Sequence, residues 1–325
     1  MDKIIAQLLA ADEPALRYKI RAHVLNEDAH AKKLRALRAQ IAQSPRAIAL
    51  LSERNARGEI ARQPYSKWSG AHWVLTMLAE LEYPPGDKTL IPLRDQMLTW
   101  LFSKQYETEL IRRVKGQTEI RIHASIDGNA LWYMHKLDIA DARAERLATR
   151  LLETQWADGG WNCDVRARGD TSSFTESLIP LRALALHARV TGEQKIYDSV
   201  ARAAEFFLKR NLFKRVRNGR VIHRYFVRLR FPNYWHYDIL FALKVMTEAG
   251  LIDDARCNDA LDVLESKQLP QGGWAAEGKY YRVTPQKIPY GRSLADWGVV
   301  SAKQRNDFVT ADALHVLRAA GRYTP

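Results

Sequence analysis

Apolar positions recur along this chain in two alternating patterns. Segment 233–249 carries Trp235, Ile239, Leu240, Phe241, Leu243, Val245 and Met246 on nearly every side, which predicts a helix buried all round. The next segment has only a stripe, Cys257, Ala260, Leu261 and Leu264, which predicts a helix buried on one face. The first pattern returns at 70–81, 126–137, 173–188 and 307–320. Each of the five segments carries an aromatic near its start: Trp73, Trp132, Phe174, Trp235 and Phe308. The second alternates with it, as Leu90, Leu93, Met97 and Leu101, then Leu147, Leu151 and Leu152, then Ile196, Val200, Ala203, Ala204, Phe207 and Leu208. Fully buried helices alternating with half-buried ones predict helical hairpins stacked along a curve. A curve that closes on itself is an all-α fold, an α/α-toroid, with inner helices around a central cavity.

Residues 1–60 read as an N-terminal helical extension packed on a toroid domain at 61–325, where five inner helices are visible and the N-terminal helices could complete the ring. Leu16, Ile20, Val24 and Leu25 form one stripe there, and Leu34, Leu37 and Ile41 another. Asp12-Glu13-Pro14 supplies acids and a proline at a helix start, and Pro45 starts a further helix. Gly58 and Pro64 punctuate the end of the extension.

The turns repeat more sharply than the helices. Gln155-Trp156-Ala157-Asp158-Gly159-Gly160-Trp161 matches Gln268-Leu269-Pro270-Gln271-Gly272-Gly273-Trp274. Paired glycines let the chain leave an outer helix abruptly, and each Trp can pack back on its own repeat. Gln-x3-Gly-Gly-Trp after an outer helix resembles the QW-type repeats of squalene-hopene cyclases and of the wider terpenoid cyclase and protein prenyltransferase toroid superfamily. That resemblance implies the toroid fold over about 65–325, and a cavity that receives isoprenoid chains. The chain departs from it at the chemistry. It has no Asp-x-Asp-Asp protonating run, and Asp253-Asp254-Ala255-Arg256-Cys257 breaks the Asp-Asp-x-x-Asp ioniser motif at its last position. Cys163-Asp164 follows a Gly-Gly-Trp turn, but the order and spacing of the prenyltransferase zinc ligands are not met. No metal and no cofactor are therefore expected.

Composition narrows the setting. The 325 residues are 46% hydrophobic, as in a globular protein, and carry a net charge of +13. Such a surplus favours an anionic partner. No apolar run reaches a membrane span, no signal peptide precedes Met1-Asp2-Lys3, and two cysteines, Cys163 and Cys257, suit a reducing compartment, so a cytoplasmic location is expected.

The mouth of a toroid is lined by inner-helix starts, and polar groups collect there: His72 beside Trp73, His123 and Asp127 before Trp132, Glu176 after Phe174, and His236-Tyr237-Asp238 after Trp235. Asp238, raised by burial, is the candidate general acid, with His236 or Tyr237 relaying protons and Asp127 and Glu176 as further catalytic candidates. His72, Trp73, His123, Trp132 and Trp235 are candidate ligand contacts. In the long loop 278–307, Tyr280, Arg292 and Trp297 either close over a ligand or plug the ring. Stretch 209–230 contains no acid, and Asn218-Gly219 predicts a hairpin turn inside it. Arg215, Arg217, Arg220 and Arg224 are its candidate anion contacts.

Three readings follow. One is a small-molecule enzyme or binder with an aromatic central cavity, acting on an isoprenoid-like or anionic-headed ligand by general acid chemistry. Another is a carbohydrate-active toroid with two carboxylates drawn from Asp127, Asp164, Glu176, Asp238 and Glu277. The third is a scaffold or nucleic-acid binder working through the basic hairpin.

Overall fold

The computed structural model describes residues 3–114, 118–166, 169–288 and 290–325. Its helices, in order, are α1 (Lys3–Leu9), α2 (Pro14–Lys19), α3 (Lys32–Gln40), α4 (Pro45–Leu51), α5 (Ala71–Glu80), α6 (Ile91–Leu101), α7 (Lys104–Leu110), α8 (Ala124–Lys136), α9 (Arg143–Thr154), α10 (Phe174–Thr191), α11 (Gln194–Leu208), α12 (Ile239–Glu248), α13 (Asn258–Ser266) and α14 (Asp307–Ala319). α2 continues as a π-turn over Ile20–Val24. Two short strand pairs accompany them: β1 (Ile111–Arg113) antiparallel to β2 (Ile120–Ile122), and β3 (Arg282–Val283) parallel to β4 (Arg292–Ser293).

The inner helices pack in sequence, α5 on α8, α8 on α10, α10 on α12, α12 on α14 and α14 on α2. His23 and Arg38 in turn reach the carboxylate of Glu82, just past α5. α3, α6, α9, α11 and α13 cover α2, α5, α8, α10 and α12 from outside. The chain is thus an α/α-toroid, and α2 stands in its inner ring rather than on its flank. The tightest inner contact, α8 against α10, depends on Gly128: a Cβ there would lie 2.8 Å from the Pro180 nitrogen. Pro180, inside α10, has no N–H to lose, so backbone meets backbone at that point.

The two Gly-Gly-Trp turns are built alike. Trp161 Nε1 donates to Leu151 O and its N–H to Ser177 Oγ; Trp274 Nε1 donates to Leu264 O and its N–H to Thr310 Oγ1. Each Trp therefore ties the end of an outer helix to the next inner helix. Gly159 sits at φ +101° with its Cα against the Arg202 carbonyl, a position only glycine fills without strain.

The axis is not an aromatic hollow. Lys19 Nζ meets Asp312 at 2.9 Å, Lys244 Nζ meets Asp312 at 3.1 Å and Glu80 at 2.8 Å, and Arg182 grips both Glu80 and Glu248. Trp132 of α8 lies under the Arg182 guanidinium at 3.6 Å. Three cations and three anions balance here, which is how charges survive removal from water. The C-terminal ends of the inner helices converge beyond this network on a cavity of about 170 Å³, so the helices run parallel. On the other side, residues 230–234 cap the axis and leave a void of only about 20 Å³, room for roughly one water. Tyr234 stacks on Trp68 at 4.0 Å and Phe231 on Phe308 at 4.7 Å to hold that cap. An axial chamber was expected because fully apolar helices suggest a greasy centre. Their apolar faces instead pack on each other and on the outer layer, while charged residues of α2, α5, α10, α12 and α14 turn inward.

Segment 233–249 is helical only from Ile239. Tyr234 has φ +55°, and the Asp238 side chain caps the helix by accepting from Phe241 N at 2.9 Å. The expected hairpin in 209–230 is present as a single antiparallel bridge, Lys214 to Val221, closed by Arg215 N donating to Arg220 O. Among the described residues, no helix is long and apolar enough to cross a membrane.

Candidate functional site

The mouth of the ring holds one pocket that combines apolar walls with reactive groups. It lies off the axis, at the starts of α8 and α10, and encloses about 420 Å³. Tyr65, Trp100, Leu110, Ile126 and Trp235 supply its apolar lining. His123, Cys163 and Glu176 line it too, beside Lys67, Glu109 and Thr175.

Three separate elements bring the reactive groups together. His123 is the residue before α8. Glu176 lies in the first turn of α10, where its Oε2 accepts from Ser125 N at 2.9 Å, binding the two helix starts to each other. Cys163 sits in the loop beyond Trp161, held by Asn162, whose side chain donates to Thr171 O and accepts from Asp164 N. His123 Nδ1 is 3.5 Å from Glu176 Oε1, and one donor atom from each of the three residues lies within 4.8 Å of the others. Burial and the Glu176 carboxylate beside it push the Cys163 thiol up to about 12. Glu176 is buried, while His123 keeps 37% of its side chain exposed, so the cluster opens to the pocket. Lys67 has its ammonium 4.8 Å from the Trp235 ring and forms no ion pair among the described residues; burial lowers its pKa. Trp235 Nε1 is buried without a hydrogen-bond partner among the described residues.

Of the other residues singled out from sequence, several are committed elsewhere. Asp238 is buried and accepts from Phe241 N, from Asn233 Nδ2 at 2.7 Å and from Arg230 N at 3.1 Å. Burial pushes it up to about 6 against those three donors, and its carboxylate is the clasp of the axial cap. Tyr237 donates to Leu212 O within an aromatic cluster. His236 lies between the rings of Trp235 and Tyr280, lowered by burial to about 4. Asp127 is enclosed with Arg150, at 2.8 Å, and the Tyr106 hydroxyl. His72 is fully buried, lowered to about 3, with neither ring nitrogen hydrogen-bonded. Trp73 donates to Tyr65 O and Trp132 faces the axis.

The loop residues act as plug. Trp297 is fully buried and donates to Ser293 Oγ, and Arg292 reaches Glu53 at 2.5 Å. Tyr280 O accepts from Trp68 Nε1. Arg215, Arg217, Arg220 and Arg224 are exposed, and none of the four pairs with an acid among the described residues. Of the five carboxylates weighed for sugar chemistry, Glu176 lines the pocket; Asp164 pairs with Arg166 and Glu277 with Lys267.

Sequence reading placed His123, Glu176 and Trp235 at the mouth and missed Lys67, Tyr65, Trp100 and Glu109. Cys163 was set aside on zinc-ligand spacing. The usable signal was positional for two of the three: His123 lies just before α8 and Glu176 just inside α10, whereas Cys163 lies in the loop beyond Trp161.

No protein-family model matches the chain, and comparison with curated proteins finds no match. Among solved structures, it is similar to the type II terpene cyclase MstE from Scytonema, with 13% identity, a TM-score of 0.45 and 98% of this chain and 99% of that one covered. It is also similar to Dfg5 from Chaetomium thermophilum, solved in complex with glucosamine, with 13% identity, a TM-score of 0.45 and 95% and 78% covered.

Proposed function

We propose that this protein is a small-molecule enzyme, or a binder of the same ligand class, whose chamber is the off-axis pocket and not the ring axis. The ligand is amphipathic. An apolar, isoprenoid-like body lies against Tyr65, Trp100, Ile126 and Trp235, and an anionic end meets Lys67. His123, Cys163 and Glu176 stand at the reacting atoms. One observation carries this reading: a pocket of about 420 Å³, in the size range of small-molecule sites, whose wall presents an unpaired ammonium and a buried indole N–H with no protein partner. A buried donor without a partner costs about 1–3 kcal/mol, which a ligand acceptor would recover.

The test is binding of decanoate and geranyl phosphate, followed by calorimetry. Lys67→Met is expected to weaken the acid about 10–100-fold, the worth of a hydrogen bond to a charged group. Trp235→Ala is expected to weaken both probes. Equal affinity in wild type and both variants refutes the assignment of the chamber.

A second reading rests on a different observation, the four exposed arginines at 215–224 that have no acidic partner. They favour a contact with a polyanion, nucleic acid included, outside the chamber.

A further inference from the structure

We infer that His123, Cys163 and Glu176 form a three-ligand site for a zinc-class divalent cation, with its fourth position open to the chamber. The inference deepens the small-molecule reading, since it names the cofactor of the same pocket, but the metal site stands or falls on its own measurement.

Ligand chemistry comes first. An imidazole, a thiol and a carboxylate converge with one donor atom each inside 4.8 Å. Around a tetrahedral ion with bonds of about 2.0–2.3 Å, ligand atoms sit roughly 3.4–3.6 Å apart. The His123–Glu176 separation of 3.5 Å is already that distance, so only Cys163 has to draw in. Thiolate with imidazole selects zinc and its neighbours over magnesium or calcium, which take oxygen.

Charge gives the second reason. Binding releases the thiol proton to solvent, Cys–SH plus M²⁺ giving Cys–S⁻–M²⁺ plus H⁺. Thiolate and carboxylate then neutralise the charge of the ion.

Support from neighbouring groups is the third. Ser125 N holds Glu176 Oε2 and leaves Oε1 toward His123. Asn162 fixes the loop that carries Cys163, and its carbonyl accepts from Ile122 N, beside His123. Glu176 and the loop that carries Cys163 are thus positioned by bonds that the ion does not have to supply. Three protein ligands with the fourth position facing a cavity is the arrangement of catalytic rather than structural zinc.

The experiment uses the full-length protein, purified, stripped with a chelator and reloaded. One zinc per chain is expected by elemental mass spectrometry. Cobalt(II) is expected to give the thiolate charge-transfer band and tetrahedral visible bands. Cys163→Ser should abolish the charge-transfer band, and Glu176→Gln and His123→Ala should weaken zinc by more than the ~10–100-fold that a supporting partner is worth. Cys257→Ser, at the other cysteine, should leave stoichiometry and spectrum unchanged. Failure of wild type to bind zinc or cobalt overturns the site, as does loss of the band in Cys257→Ser with retention in Cys163→Ser. Should a ligand variant fail to fold, the wild-type cobalt spectrum alone decides, because an all-oxygen and nitrogen site gives no thiolate band. Retained decanoate binding by a protein that takes no metal would leave the chamber standing and remove only the ion. Metal binding without uptake of either probe would do the reverse.

Discussion

Replacing Lys244 by methionine tests the charged axis most directly. Lys244 Nζ bridges Glu80 at 2.8 Å and Asp312 at 3.1 Å, with 8% of its side chain exposed. Breaking a buried pair costs about 3–5 kcal/mol, because the abandoned charge stays out of water. Here Glu80 keeps Arg182 and Asp312 keeps Lys19, so the cost of Lys244→Met belongs near the lower end, about 3 kcal/mol. Adding Glu80→Gln restores the balance of charge, and the double variant should be less destabilised than the sum by about 1–3 kcal/mol. Urea denaturation at neutral pH, with the slope unchanged, measures all three.

The sign with pH follows from the carboxylates. Burial alone would raise Glu80, Glu248 and Asp312, but the facing Arg182, Lys244 and Lys19 outweigh it and hold all three below their ordinary range. Folded values lower than unfolded ones give stability that is present above the unfolded pKa, about 4, and is lost as pH falls through the folded values. The advantage of wild type over Lys244→Met should therefore persist at pH 5 and shrink only below about pH 4. Lys195→Met, at an exposed pair, should leave the midpoint where it is. A Lys244→Met variant as stable as Lys195→Met, or strict additivity with Glu80→Gln, would refute a coupled network.

Gly128→Ala should destabilise by about 1–3 kcal/mol although alanine is the better helix former, because its Cβ would collide with the Pro180 backbone; a neutral or positive shift in the denaturation midpoint would mean α8 and α10 can separate freely. Changing Arg215, Arg217, Arg220 and Arg224 together to alanine should leave the fold intact and lower the slope of log affinity against log salt for a DNA duplex by up to about 4. An unchanged slope would remove the polyanion reading of that turn.

Much of the fold is legible along the chain because burial writes itself as periodicity. Fully apolar segments became inner helices, and striped segments became outer ones. The turns were legible for a sharper reason: Trp161 and Trp274 each return to a carbonyl ten residues back, so the spacing of Gln, Gly-Gly and Trp is fixed by geometry. The centre was not legible. Lys19, Glu80, Arg182, Lys244 and Asp312 are single polar letters in apolar runs, and only ring closure shows that they meet. That N-terminal helices could complete the ring was legible, but not that α2 is the one that does. At the mouth, position within the repeat found His123 and Glu176, but not which way Asp238 turns. A residue before a helix can face a chamber or cap the helix, and Asp238 does the second. Cys163 matches no ligand spacing along the chain, because its nearness to His123 and Glu176 arises only where a loop meets two helix starts.

Lys19 and Asp312 are separated by 293 residues, yet they join α2 to α14 and shut the ring. A growing polypeptide would hold Lys19 ready long before its counterpart exists, with a cationic notch in place of a seam. Late locking of this kind ties completion of the annulus to its last helix: a chain interrupted before Asp312 lacks the carboxylate that Lys19 and Lys244 share.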